Sequence, residues 1–220
     1  MFNEISMPSD CLQPNKYGLA IHTSSPELGL ALSNFTGDSR TAAWNLGRDT
    51  SNLLHQYLIE FMQPQTWADL AFIAVAQGPG GFTGTRIGVV TARTLAQQLN
   101  IPVFAVSSLA AIAWLHHTHE PTSIYAVQLP AQRGQLYTAI YQANLEGSGL
   151  IPLLPDTVLT PEVWQAKLGS HNDCKLIYAP NNLGSCATSL LELACWEWQQ
   201  GKCPDWSEAL PFYGKHPVEN

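Results

Sequence analysis

Gly78-Pro79-Gly80-Gly81-Phe82-Thr83-Gly84-Thr85-Arg86-Ile87-Gly88 decides how the whole chain is read. The run before it, Leu70 to Ala76, is short and rich in Ala, Val, Ile and Phe, which predicts a buried strand. Pro79 fixes its own φ and pushes Gly78 out of the helical region, so the strand stops there. Gly80 and Gly81 permit backbone angles that a side chain forbids. Thr83 is the expected N-cap of a helix over 84–99, its hydroxyl placed to accept from a first-turn N–H. A glycine loop opening on a helix N-terminus offers N–H groups to an anion. It also offers a bare surface to another protein, or tight packing between its own strand and helix. At this point all three readings stand.

The loop is not a Walker motif, since no Lys-Ser/Thr follows its last glycine. Gly78-x-Gly80-x-x-x-Gly84 is a loose relative of the dinucleotide fingerprint, but three predicted strands precede it. No Asp or Glu occurs from Leu70 to His119, so nothing there could hold a ribose.

Working back from the loop, Tyr17 to Thr23, Leu28 to Ser33 and Thr41 to Leu46 read as strands, with turn signals at Ser24-Ser25-Pro26 and Thr36-Gly37-Asp38. Three strands on short links predict an antiparallel meander. Asp49 or Thr50 caps a helix carrying Leu53, Leu54, Tyr57, Leu58 and Phe61 on one side. Beyond the loop come a strand at 103–106 and a helix from about Ser107 to His117. A second lobe is expected from strands at 123–129 and 135–143 and an extended stretch at 150–159. It continues with a helix from Pro161, a strand at 175–179 and a helix over 185–199. The expected organisation is a flexible extension over 1–16, with Met7 as an alternative start, an N-terminal lobe over 17–118 and a smaller C-terminal lobe over 119–220.

With 220 residues, 45% of them hydrophobic, the chain can bury a sizeable core. Ten Lys and Arg against 17 Asp and Glu give a net charge of −7, which argues against unaided binding to nucleic acid. The five cysteines (Cys11, Cys174, Cys186, Cys195, Cys203) form no C-x-x-C pair and read as free thiols in a reducing cytoplasm. Residues 1–16 hold acids and two prolines but no apolar segment, which argues against a signal peptide or membrane helix.

The loop also carries a resemblance. Gly78 to Gly88, then Ala92-x-x-Leu95-Ala96 and Ile101-Pro102-Val103-x-x-Val106-Ser107-Ser108-Leu109, resembles the bacterial TsaB (YeaZ) family. There the loop reads roughly GPGSFTGxRIG, so Gly81 replaces a usual Ser. The match is dense over about 70–112 and thinner, in order, from 17 to 213. The resemblance implies an α/β fold of the actin/hexokinase-like (ASKHA) class, two lobes of mixed sheet flanked by helices. It implies a non-catalytic, cytoplasmic partner of the TsaD enzyme, in a complex that makes threonylcarbamoyladenosine next to the anticodon of tRNA. The expected partners are a TsaD-like subunit, a TsaE-like ATPase, a second copy of the chain as a homodimer, and tRNA only through the complex.

Two departures from the family bear on catalysis. The first hairpin turn usually reads Asp-Thr-Ser/Ala and here reads His22-Thr23-Ser24; the second usually begins Asp-Ala-Arg and here begins Pro130-Ala131-Gln132. Neither His nor Pro supplies a hard oxygen ligand for magnesium. The expectation is therefore no catalytic residue, no metal and no cofactor. Thr23 and Arg133 remain as vestigial nucleotide contacts, with turn or surface roles as the plainer reading. Relatives are sometimes labelled metallopeptidases, but no two histidines stand at i, i+4, so there is no HExxH-type helix. His116-His117-Thr118-His119 suits a solvated helix C-terminus. Ser107 and Ser108 lack a G-x-S-x-G elbow and read as an N-cap.

What remains is surface. Gly84, Gly88, Ala92 and Ala96 recur every four residues, a bare stripe that either packs on its own sheet or admits a second backbone. The resemblance favours docking, because TsaB and TsaD pair through their first two helices. The docking residues expected on that basis are Leu54, Leu58, Gly84, Gly88, Ala92 and Ala96. An autonomous nucleotide-dependent small-molecule kinase on the same fold is the competing reading.

Overall fold

A computed structural model describes residues 15–118, 123–144, 149–171 and 173–214. The first sheet is built from β1 (Tyr17–His22), β2 (Glu27–Ser33), β3 (Ser39–Asn45), β4 (Leu70–Ala76) and β5 (Val103–Val106), in the order β3-β2-β1-β4-β5. The first three form the expected antiparallel meander, and β4 and β5 add in parallel beside β1. The second sheet holds β6 (Ile124–Pro130), β7 (Leu136–Ala143), β8 (Leu150–Leu159) and β9 (Cys174–Tyr178), ordered β8-β7-β6-β9. Its meander and parallel neighbour repeat the plan of the first sheet with one strand fewer. This is the expected architecture of two lobes of mixed sheet flanked by helices.

The helices are α1 (Thr50–Met62), α2 (Phe82–Leu99), α3 (Ser108–Leu115), α4 (Pro161–Gly169) and α5 (Ala187–Gln199). β1 is buried on both faces, so its pattern is a continuous apolar run rather than an alternation. Leu19 and Ile21 join a core with Leu54 and Leu58 of α1 and Val89, Ala92 and Ala96 of α2. Ala20 on the opposite face belongs to a second core that includes Phe72, Leu109, Ile112, Leu190 and Leu191, and continues into Tyr125, Val127 and Tyr141 of the other sheet. Helix α3 packs on β6 and β7, while α5 packs on β1, β2, β4 and β5. A division at residue 118 thus separates the two sheets, but α3 and α5 lie between the sheets and tie them into one core.

Thr83 is not the cap of α2. The helix begins two residues earlier than expected, at Phe82, with extended Gly81 as its N-cap. The β1–β2 turn sets this start. Gly81 donates its N–H to the Ser24 carbonyl at 2.7 Å, and its own carbonyl accepts from the Thr85 N–H and hydroxyl, each at 2.9 Å. Asn100 closes the helix in the left-handed conformation at φ 54°. Ser107 caps α3 as expected, its hydroxyl accepting from the Leu109 and Ala110 N–H groups.

The readings placed on residues 1–14 and on His119 fall outside the described residues. His117 stacks on Trp114 with ring centroids 4.9 Å apart and lies 3.2 Å from the Tyr125 hydroxyl, so it is partly internal rather than simply solvated.

Candidate functional site

The glycine loop is bare because the β1–β2 hairpin turn lies on it. A Cβ on Gly80 would collide with the Ser24 carbonyl, one on Gly84 with the Thr23 carbonyl, and one on Gly88 with the Thr23 hydroxyl. Gly78, at φ +96°, sits under the Phe212 carbonyl, and its own carbonyl accepts from the Ser108 N–H at 2.8 Å. Gly81 is different. A Cβ there would meet only the Ser24 carbonyl at 3.6 Å, an ordinary contact. The site accepts a small side chain, in keeping with the serine usual in TsaB-like loops.

This geometry corrects the docking stripe. Ala92, Ala96, Leu54 and Leu58 are at most 1% exposed and belong to the core under the first sheet; Gly88 is buried against Thr23. None of these five can touch a partner, and Gly84 is held against the hairpin turn. Small residues at this spacing serve the close approach of the chain's own turn. The exposed apolar residues of the two helices are Ile59, Phe82 and Val90, between 54% and 59% exposed. Sequence periodicity sets Val90, with Ile87 and Leu95, to one side of the stripe, and could have flagged Ile59 in the same way.

Between the lobes lies a cleft of about 1200 Å³. The first lobe contributes Thr23 to Pro26, Arg48 and the loop from Gly80 to Gly84; the second contributes Leu129 to Arg133, Tyr137, Val158 and Leu183. The two departing hairpin turns therefore face one another across it. His22 does not line the cleft: it is 0% exposed, opposite Gly29 on β2. Among the described residues no group hydrogen-bonds either ring nitrogen. Burial pulls its pKa down to about 4, so the ring is neutral at pH 7. Thr23 lines the cleft, but its hydroxyl donates to the Gly84 carbonyl at 2.8 Å. Pro130 ends β6 at the rim, exposed. Arg133 stands in the left-handed region at φ 55°, its side chain exposed.

Arg48 was not singled out by the sequence, and it faces the same cleft. A second group missed there joins the lobes. Asp156 of β8 accepts from the Ser107 hydroxyl at 2.5 Å and from the Tyr141 hydroxyl. Burial raises the Asp156 carboxyl, while the two hydroxyls partly offset that. Separations of 49 and 15 residues leave no local signal for this cluster.

Three comparisons bear on this geometry. A family model described as TsaD, tRNA N6-adenosine threonylcarbamoyltransferase, matches residues 52–159. The tRNA threonylcarbamoyladenosine biosynthesis protein TsaB of Bacillus subtilis is 41% identical over 131 residues, 56% of this chain and 54% of that protein. The chain thus spans about half the length of that relative. The Escherichia coli protein of the same name is 27% identical over 68% of this chain and 73% of its own length. Among solved structures, YeaZ from Pseudomonas aeruginosa superposes with a TM-score of 0.74 at 25% identity, covering 90% of this chain and 99% of that one. A Pseudomonas aeruginosa protein described as uncharacterized, with similarity to peptidase YeaZ, superposes with a TM-score of 0.76 over 91% of this chain. The resemblance read from the glycine loop is met in sequence and in fold.

Proposed function

We propose that this chain, TsaB (YeaZ)-like in sequence and fold, is a non-catalytic assembly subunit in the formation of threonylcarbamoyladenosine on tRNA. Its partner is a TsaD-like catalytic subunit, and a TsaE-like ATPase joins the complex. The observation that carries the reading is the chemistry of the cleft. Among the described residues lining it there is no Asp or Glu, and His22 and Pro130 stand where the resemblance places magnesium-positioning acids.

Docking is assigned to the outer face of α1 and α2, through Ile59 and Val90 with Phe82 at the helix start. These side chains are more than half exposed and apolar, and removing them from water supplies a driving force for association. A second copy of the chain occupies the same face when the partner is missing. With a net charge of −7 the lone chain should hold tRNA weakly, the complex supplying the positive surface.

The test is size-exclusion chromatography with light scattering on this chain mixed with the TsaD-like subunit of the same cell. The wild type should co-elute, and an Ile59→Glu/Val90→Glu variant with an unchanged melting temperature should not. Co-elution that persists in the variant would place the docking face elsewhere.

A further inference from the structure

Helix α2 and the C-terminal segment enclose a second hollow, a groove of about 380 Å³ that shares only Phe82 and Tyr213 with the cleft. Val89 and Val90 line it from α2, Pro211 and Tyr213 from the C-terminal segment. That segment is fastened in place. The Phe212 N–H donates to the Gln77 carbonyl at 2.7 Å, Ala209 is buried in the core under the first sheet, and the Tyr213 ring lies 4.7 Å from that of Phe82. The groove is therefore preformed and apolar.

Among the described residues lining it, Arg86 and Arg93 alone are charged, in a chain of net charge −7. They stand seven residues apart on α2, two turns or about 10.5 Å along its axis, with the valines between them. Each guanidinium is held over an aromatic face, Arg86 over Phe82 at 5.3 Å and Arg93 over Trp206 at 5.5 Å. Arg93 also donates to the Ala209 carbonyl at 3.4 Å, while Arg86 makes no hydrogen bond or ion pair among the described residues. Side chains braced in this way lose little freedom on binding, and each keeps N–H donors for a carboxylate. Asp205, whose carboxyl is held below its usual range by Ser207 and in smaller part by Arg93, does not line the groove.

We propose that this groove receives a helix of the catalytic partner that carries two carboxylates seven residues apart and an aliphatic side chain between them. The carboxylates pair with Arg86 and Arg93, and the aliphatic group fills the space beside Val90 and Pro211. The proposal rests on the docking face assigned above and adds what selects its occupant. A polyanion such as tRNA has nothing apolar to place in the groove. A second copy of the chain is also a poor fit. Helix α1 holds a single acid, Glu60, and α2 holds none, so the same face of another copy meets only one arginine. The Glu60 carboxylate already accepts from the Gln56 amide at 2.9 Å. The arginine pair thus favours the partner over self-pairing.

The experiment is calorimetric titration of the full chain with the TsaD-like subunit of the same cell, beside sedimentation equilibrium of each variant alone. Arg86→Gln should weaken the partner complex by tenfold or more, and Arg86→Gln/Arg93→Gln further, at an unchanged melting temperature. Self-association should change by less than about threefold. Lys167→Gln, on α4, removes the same charge and should bind as the wild type. Arg86, exposed and unbonded, carries the test if Arg93→Gln loosens the Trp206 and Ala209 contacts. Arg86→Glu should fail to bind and should be rescued by one acid-to-lysine change on the partner's facing helix.

Partner affinity unchanged by Arg86→Gln, while Ile59→Glu/Val90→Glu still abolishes binding, would overturn the proposal and leave the docking face standing. No complex with the wild type, or binding indifferent to both sets of changes, would remove the two together. Equal loss of self-association and of partner binding would make the groove a self-pairing surface. Binding of tRNA by the lone chain that the double arginine variant abolishes would make it a nucleic-acid contact. Either of these also overturns the proposal.

Discussion

At the scale of single residues, His22 is the group whose environment is most at odds with its chemistry. It is buried with no described partner for either nitrogen, and its pKa falls from 6.5 to about 4. The unfolded chain therefore takes up the proton first, and the folded state must exclude it. The stabilisation is complete above the unfolded value and is lost as pH falls from about 6.5 to 4, amounting to roughly 3 kcal/mol at about 1.4 kcal/mol per unit. Asp156 works in the other direction: its raised pKa lets the folded state bind a proton more readily, adding stability as pH falls. Melting curves at pH 7 and pH 4.5 should show a loss for the wild type that is smaller in His22→Leu and larger in Asp156→Asn. Equal losses in all three would mean that neither burial controls the acid response.

The glycines make a second residue-scale case. Gly84→Ala drives a methyl into the Thr23 carbonyl, whereas Gly81→Ser meets only an ordinary contact. Overpacking of that kind costs about 1–3 kcal/mol, and a tolerated surface change stays within about 0.5 kcal/mol. Urea titrations of the two variants should differ accordingly. Comparable midpoints would show that the hairpin turn yields to the added methyl.

At the scale of elements, α2 shows how far periodicity goes and where it stops. The helix itself, the strand before it and the meander ahead were legible because apolar spacing, Pro79 and the turn residues each point to one backbone conformation. The start of α2 was misplaced because its cap depends on the Ser24 carbonyl, some sixty residues earlier. The stripe was misassigned for a related reason. Glycine and alanine every four residues record that a backbone comes close, but not whose backbone it is. The structure supplies the owner, Thr23 for Gly84 and Gly88 and the first sheet for Ala92 and Ala96.

The consequence can be measured on one helix. Ala92 is 0% exposed and Val90 is 59% exposed. Ala92→Glu buries a charge without a partner, at a cost of several kcal/mol, and should unfold the isolated chain or lower its melting point by more than about 10 °C. Val90→Glu should leave it within about 2 °C. Differential scanning calorimetry decides the matter: an intact Ala92→Glu monomer would return the stripe to the surface.

At the scale of the whole molecule, the two sheets and their order follow from two meanders of strands. The way the lobes are joined does not. α3 crosses to the second sheet, α5 returns to the first, and Ser107, Tyr141 and Asp156 close the joint from three distant positions. Such contacts have no period in the sequence and appear only once the chain is folded. The cleft is the product of that joint; among the described residues its lining holds two arginines and no acid, which is what the proposed assembly role rests on.

The central claim is that the chain enables a reaction it does not itself perform. The direct measurement is formation of threonylcarbamoyladenosine on tRNA from a threonylcarbamoyl donor. It compares this chain alone, the TsaD-like subunit alone, and the two together. The account predicts no product above background from this chain alone, and a rate with both that exceeds the partner's own by tenfold or more. Product from this chain alone that disappears with Arg133→Ala would contradict it, as would a partner whose rate is unchanged by the addition.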